Sequence, residues 1–195
     1  MITKPTNYPI TLVSGWNYLS TPMQLATGFD TLDKIFDAAN QLNIDSYMFL
    51  NASNTWVAIT SANVATTPLT PLTVFAVHVK AGLTATAVMV PSTSQSLPAT
   101  KTLQAGINLV GPSPASLNGV FSPEDLATWL GTLGPGQAGA HSIIVINPGL
   151  GIQGTGWTWI TGQPTTGLTL QPFSGYWVIM DSPVALFGLA GTPLP

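Results

Sequence analysis

Several residue types are missing or rare in this chain of 195 residues, and each absence excludes a class of protein. There is no cysteine and no arginine, and only 6% of the residues are charged, against about 25% in ordinary soluble proteins. Without cysteine there is no disulfide, no thiolate nucleophile and no cysteine-ligated metal. The few cations are scattered, so the clustered charges that bind nucleic acid are missing. These cations are Lys4, Lys34, Lys80 and Lys101.

Long hydrophobic runs are also absent. No stretch approaches the roughly 18 consecutive apolar residues of a transmembrane helix, so we expect no membrane insertion. The N-terminal residues MITKPTNYPITLV lack the apolar core of a signal peptide. Either the protein is not exported by this route or a signal has been removed, and the initiating methionine favours the first interpretation.

With so little charge, the surface must consist of small polar residues, glycine, proline and apolar groups. Such a surface has weak electrostatic self-repulsion and is suited to close packing against neighbours. We therefore favour an assembly or binding protein over the alternative, a soluble monomer with a neutral polar coat.

Four sequence blocks occur twice in the same order. The blocks TLVSGWNYL (11–19), SYMFLN (46–51), WVAIT (56–60) and LTPLTVFAVHV (69–79) match TLQAGINLV (102–110), SIIVIN (142–147), WTWIT (157–161) and LTLQPFSGYWVIM (168–180). An ordered self-match of this kind indicates two copies of one folding unit. The sequence predicts a first domain at 1–92, a linker at 93–101 and a second domain at 102–195, and we expect the two small copies to pack on each other.

Each copy is predicted to be mainly β, a small sandwich or barrel with one short helix. The 19 glycines and 17 prolines separate short runs of β-branched and aromatic residues, which is typical of many short strands joined by turns. The runs Val74–Val79 and Ile143–Ile146 are almost continuously apolar, which predicts central strands covered on both faces. The predicted strands are Ile10–Val13, Trp16–Ser20, Ser46–Leu50, Trp56–Ile59, Val74–Val79, Ala85–Val90, Thr102–Leu103, Asn108–Val110, Ser142–Ile146, Trp157–Ile160, Gly175–Met180 and Val184–Leu189.

One helix is predicted in each copy from its capping residues. In the first copy, Asp30 is a candidate N-cap with Asp33 three residues later. In the second, Ser122 precedes Pro123, and Asp125 completes a capping box. Apolar residues then recur at helical spacing in both copies: Leu32, Ile35, Phe36 and Ala39, and Leu126, Trp129, Leu130 and Leu133.

The residues that could support catalysis are few. There are two histidines, His78 and His141, and no nucleophile elbow, phosphate-binding loop, calcium loop or histidine cluster. Asp30, Asp33 and Asp37 would lie on one helix face, where a solvated acidic face is favoured over a weak cation site. We therefore predict no enzyme activity, no catalytic or metal-ligating residues and no cofactor. An enzyme would need a cleft that joins His78 or His141 to a carboxylate.

The candidate contact residues come from differences between the copies. Trp56 and Trp157 match in the alignment of the copies, which favours core packing. Trp159 and Trp177 replace Ala58 and Ala76, and the second copy also has a longer glycine-rich loop at 148–156. Tryptophan on an open face can stack on a sugar or anchor a protein, but core packing is the favoured interpretation for both residues. The candidate partner-contact residues are Trp159, Trp177, Gly151 and Gln153.

The pattern SGWNYLSTPM (14–23), a lone Trp56 and a closing apolar strand resembles a repeat of bacterial and archaeal cell-surface, S-layer-like proteins. Gly15, Trp16 and Asn17 match its GWN opening, and Gly175, Tyr176 and Trp177 match its GYW closing. The resemblance implies a non-enzymatic, surface-displayed β-module that is used in arrays and adhesion.

The leading hypothesis is a non-enzymatic structural or assembly protein of an external particle or layer, in particular a virion decoration or coat-associated protein of a phage capsid. It predicts protein partners in a homo-oligomeric, capsid or surface array, and localisation to the virion. The alternative is an extracellular S-layer-like or carbohydrate-binding, adhesive module, with a glycan as a further partner. Nucleic acid is not an expected partner.

Overall fold

The computed structural model describes residues 7–51, 55–93, 100–111, 121–130 and 143–187. The protein is mainly β and sandwich-like. We refer to residues 7–93 as the first half and to residues 100–187 as the second half. The described elements are β1 (Tyr8–Leu12), β2 (Gly15–Ser20), α1 (Ala38–Leu42), β3 (Ile44–Leu50), β4 (Trp56–Ile59), β5 (Val74–Val79), β6 (Ala85–Met89), β7 (Thr100–Leu103), β8 (Gly106–Val110), α2 (Pro123–Trp129), β9 (Ile143–Asn147), a 3-10 turn (Gly151–Gln153), β10 (Trp157–Ile160), β11 (Tyr176–Met180) and β12 (Val184–Phe187).

The described strands follow the same order in both halves. A four-stranded antiparallel sheet has the order β2-β5-β3-β4 in the first half and β8-β11-β9-β10 in the second. A two-stranded sheet, β1-β6 or β7-β12, joins the first and last strands of each half. Most of the predicted linker, residues 94–99, lies outside the described residues, and β7 begins at Thr100, before the predicted start of the second domain.

A glycine and an asparagine build the turn between the first two strands of each half. Gly15 and Gly106 have φ values of 94° and 91°, a left-handed conformation that only glycine adopts at little cost. Two residues later, the side chain of Asn17 accepts from the backbone N–H of Val13, and that of Asn108 accepts from the N–H of Gln104. These side chains take the place of backbone partners inside a tight turn.

Each half has its own hydrophobic core between its two sheets. The first core contains Leu19, Phe75 and Val77 from the large sheet, with Leu12 and Met89 from the small one. The second core is built in the same way, and Leu126 of helix α2 and Leu130 at the C-cap of that helix cover it. Only one face of each four-stranded sheet therefore packs against a core.

Among the described residues, each half contains one short α-helix, as predicted. The predicted position is confirmed in the second half and is wrong in the first. Ser122 caps α2 and forms a capping box with Asp125. In the first half, residues 30–36 form turns, and α1 begins later, with Asp37 as its N-cap. Asp30 instead accepts from the N–H of Gly28. The apolar residues Leu32, Ile35 and Phe36 are all buried in the first core without helical spacing, because tertiary burial outweighs weak helix propensity.

The two halves exchange one buried apolar residue each. Leu72, from the loop before β5, is buried in the second core, and Phe173, from the equivalent loop before β11, is buried in the first. Both have positive φ, 65° and 64°, which is unfavourable for a non-glycine residue. The backbone N–H of Ser20 donates to the carbonyl of Phe173 at 2.8 Å, and that of Gly111 donates to Leu72 at 3.4 Å. This reciprocal exchange joins the halves.

Glycines in one half face larger residues in the other at this junction. A Cβ atom on Gly111 would overlap the side chain of Ser20, and one on Gly175 would overlap Val74. The hydroxyl of Ser20 is buried and has no hydrogen-bond partner among the described residues. The close approach of the halves therefore depends on a small residue on one side of each contact.

Candidate functional site

The outer face of the first four-stranded sheet is rich in aromatic residues. Because side chains alternate along a strand, β2 directs Leu19 into the core and Trp16 and Tyr18 to the opposite side. Met48 of β3 and Trp56 of β4 lie on that same side, and all four side chains are half-buried. The rings of Tyr18 and Trp56 stack with centroids 6.1 Å apart. We call these four residues, Trp16, Tyr18, Met48 and Trp56, the aromatic face.

A shallow cleft of about 210 Å³ lies within the aromatic face, and Ala76 forms part of its lining. Ala76 pairs with Tyr18 on one side and with Met48 on the other. Its small side chain leaves space between larger neighbours, which opens the cleft. Burial raises the pKa of the Tyr18 hydroxyl above its ordinary value.

A histidine and a carboxylate lie next to the aromatic face. The His78 ring meets Trp16 edge to face, with centroids 4.9 Å apart. His78 Nδ1 lies 2.6 Å from Asp45 Oδ1. The histidine is thus joined to a carboxylate, which is one requirement of the enzyme hypothesis. Among the described residues, however, no serine or threonine hydroxyl is hydrogen-bonded to His78, so no nucleophile is paired with this base.

The outer face of the second four-stranded sheet is mostly aliphatic, and Thr158 and Trp177 also lie on it. The exposed fractions are 54% for Ile107 and 40% for Ile160, and the remaining isoleucines on this side are half-buried. None of the strands β8–β11 contains a charged residue. We call Ile107, Ile144, Ile146, Ile160 and Ile179 the isoleucine face.

The prediction that both continuous apolar strands are covered on both faces holds only in part for β5: on its outer side, Val74 is buried against Gly175 of the second half, whereas Ala76 lines the open cleft. β5 is buried at five of its six positions. In β9, by contrast, buried and half-buried residues alternate. The strand is central in its sheet, but its outer side, with Ile144 and Ile146, lacks full cover in the described structure.

The two tryptophans proposed as contacts lie in different environments. Trp159 is 1% exposed within the second core, where its ring N–H donates to the carbonyl of Gln163 at 2.9 Å. Trp159 is therefore a core residue and not a contact residue. Trp177 is half-buried on the outer side of β11, and its ring contacts Trp56 edge to face at 6.3 Å. Trp177 therefore extends the aromatic face.

The core packing expected for Trp56 and Trp157 holds for Trp157 alone. Trp157 pairs with Asn147 and stacks on the buried Tyr176, whereas Trp56 pairs with Leu50 and lies on the outer side. A shift of one residue in strand register reverses the face of a side chain. The sequence reasoning thus missed Trp56, Trp16 and Tyr18 as surface residues, although the alternation in GWNYLS could have indicated the last two.

The long loop 148–156 contacts the first half. The backbone N–H of Ile152 donates to Asn17 Oδ1 at 3.2 Å, and the Ile152 side chain packs against the first core. Gly151 has a φ of 53°, and a Cβ atom there would overlap the Asn17 side chain. Gly151 therefore packs against Asn17 of the first half of the same chain. Gln153 ends the 3-10 turn of the same loop.

A second cavity, of about 650 Å³, lies between the halves and is lined in part by Lys101. The Lys101 ammonium donates to the carbonyls of Leu109 at 2.9 Å and Leu72 at 3.5 Å. The described residues contain no carboxylate in an ion pair with it. Burial lowers the pKa of Lys101 from its ordinary value of 10.5 to about 8.

This buried ammonium predicts that stability increases in mild alkali. Above pH 8 the folded protein releases the Lys101 proton while the unfolded chain still holds it, so the free energy of unfolding rises between about pH 8 and 10.5. We expect a gain of up to about 2 kcal/mol from pH 7 to 10, measured by urea unfolding. Lys101→Met should remove this rise, whereas the exposed Lys80→Met should retain it. An equal rise in wild type and K101M would contradict the assignment.

The remaining expectations concern metals, membranes and His141. The described part of the chain contains no group of three potential metal ligands. No helix in that part is both long and apolar enough to cross a bilayer. His141 lies outside the described residues.

Comparisons with protein-family models, with curated proteins and with solved structures found no match for this chain. The resemblance to the GWN-type surface repeat therefore stays a prediction that depends on short motifs.

Proposed function

We propose that this chain is a non-enzymatic assembly protein of an external particle or layer, and that its isoleucine face packs against a neighbouring protein subunit. The observation that carries the proposal is an aliphatic sheet face, half-exposed and without charge. Contiguous exposed apolar patches on a folded protein mark interaction surfaces. The virion decoration protein and the surface-layer module are two settings for the same contact chemistry.

The composition of β9 supports this proposal independently. Sheets that face water on one side normally alternate apolar and polar residues. β9 reads IIVIN, and its outward positions, Ile144 and Ile146, are as apolar as the core positions. Such a strand is typical of a sheet with cover on both faces, and a partner subunit would supply the second cover.

The low charge of the chain fits the same function. Charged residues are depleted in the centre of protein interfaces, and a surface with 6% charged residues presents little electrostatic repulsion to a closely packed neighbour. Protein–protein contact through the isoleucine face therefore needs no desolvation of buried ions.

We expect charge on the isoleucine face to prevent assembly. In sedimentation velocity over a range of concentrations, wild type should self-associate or co-sediment with virions or envelope fragments of its source. Ile107→Asp combined with Ile160→Asp should abolish this association, because a buried carboxylate without a partner costs several kcal/mol. Leu42→Asp is the matched control, since Leu42 is 73% exposed on α1, outside this face.

The two settings are separated by which particle the protein joins. Binding to virions supports the decoration protein, and binding to envelope fragments supports the surface-layer module. A wild-type protein that remains monomeric at every concentration and joins neither particle would refute the proposal.

A further inference from the structure

We infer that the aromatic face, together with the adjacent Asp45–His78 pair, is a carbohydrate-binding site. This site differs from the isoleucine face and from the tryptophan pair suggested by the sequence, since Trp159 is buried. The inference depends on the shape of the cleft, on the polar pair beside it and on the extension of the aromatic surface by Trp177.

The cleft has the size and lining that suit one sugar ring. Its volume of about 210 Å³ is below the 300–1,000 Å³ typical of drug-sized ligands. Trp16, Tyr18 and Trp56 contribute flat apolar rings to its walls. A pyranose ring presents an apolar face of C–H groups, which packs on aromatic rings in the way that other flat apolar groups do.

The polar pair beside the cleft suits the rim of a sugar. A pyranose carries hydroxyl groups around its edge, and these need hydrogen-bond partners when the ring is bound. The Asp45 side chain is 45% exposed, and that of His78 is 31% exposed, so both can reach a ligand. A carboxylate accepts strong hydrogen bonds from hydroxyl donors, and its contact with His78 Nδ1 at 2.6 Å holds it in position.

The arrangement fits a carbohydrate better than a protein surface. The isoleucine face has no comparable pair of hydrogen-bonding side chains among the described residues. The aromatic face combines stacking rings with the accessible carboxylate of Asp45, which contacts His78, and the His78 ring contacts Trp16. Rings stiffened by their neighbours also lose little conformational entropy on binding.

Trp177 makes an oligosaccharide a better ligand than a monosaccharide. Its ring lies 6.3 Å from that of Trp56, at an angle of 86°, which continues the aromatic surface toward the second half. A chain that places one ring in the cleft would place the next sugar near Trp177.

The test is an array of neutral and amino-sugar oligosaccharides, followed by titration calorimetry with those that bind, with cellohexaose and chitohexaose included. We expect Trp56→Ala to weaken binding at least about tenfold, which corresponds to one lost stacking contact. Trp56→Phe should remain within about threefold of wild type. Asp45→Asn should weaken binding by about fivefold or more through loss of a charged acceptor. Circular dichroism would verify that each variant is folded.

The isoleucine-face variant I107D/I160D separates this inference from the proposed assembly function. It should lose assembly but retain oligosaccharide affinity, whereas Trp56→Ala should do the reverse. The inference is overturned if folded wild type binds no oligosaccharide on the array, or if W56A and D45N both bind as wild type does. A loss of protein assembly in W56A without any glycan binding would also overturn it, since the aromatic face would then bind protein.

Discussion

Replacing Phe173 with alanine is expected to lower the free energy of unfolding by about 3–5 kcal/mol, the range for a buried phenylalanine in a packed core. Phe173 belongs to the second half but is 4% exposed within the first core, where its ring lies 5.3 Å from that of Tyr8. In a chain of this size, the melting temperature should fall by about 6–20 °C. Denaturant unfolding and calorimetry measure the two effects.

The more specific expected result is the part of the structure that loses stability. We expect amide exchange to accelerate in β1 and β2, in the half that does not contain the substitution. Phe29→Ala is the matched control, because Phe29 is 37% exposed and surface substitutions usually change stability by about 0.5 kcal/mol or less. If Phe173→Ala left the protection of β1 and β2 unchanged, the exchange of residues between the halves would not contribute to stability.

Introducing a side chain at Gly111 is expected to destabilise the junction by about 3 kcal/mol, at the upper end of the range for overpacking. A Cβ atom at this position would overlap Ser20 from the other half, and both backbones are held in place by hydrogen bonds to the exchanged loops. Neither strand can move away without loss of these bonds. Urea unfolding of Gly111→Ser measures the effect.

The reciprocal substitution provides the control. Ser20→Gly removes the side chain that Gly111→Ser would meet, so the double variant S20G/G111S places the serine in the other half and should recover more than half of the lost stability. Interaction energies of this kind are expected for residues in contact. Additive losses in the double variant would contradict the proposed contact between these two positions.

Much of the secondary structure could be predicted from local pattern. The strands at Trp56–Ile59, Val74–Val79 and Trp157–Ile160 have the predicted bounds, because glycine and proline punctuate short β-branched and aromatic runs. The capping box of α2 could also be predicted from the sequence, since Ser122 and Asp125 satisfy the first backbone donors of the helix through contacts within one turn. The helix of the first half was predicted too early in the chain, because the apolar residues that suggested it are buried in turns by tertiary packing.

The candidate sites were less predictable. A comparison of the copies named Trp159 as a candidate contact, although core packing was favoured for it, and placed Trp56 in the core. In the structure Trp159 is buried, whereas Trp56 lies on the outer face. A difference of one residue in strand pairing moves every side chain of the strand to the opposite face. A match between short sequence blocks does not reveal which residues pair across the strands. The aromatic face and the Asp45–His78 pair depend on four strands brought side by side.

Composition and local spacing were enough to establish a mainly β chain with little charge, a recurrent strand pattern and the turns at Gly15 and Gly106, because these properties depend on residue type and on near neighbours. The long-range packing determines the rest: which sheet face is covered, which tryptophan is exposed, and that Leu72 and Phe173 each enter the core of the other half. A positive φ at a non-glycine residue has no local signal. It is sustained here by burial against residues that are distant in the chain, and no local pattern encodes that contact.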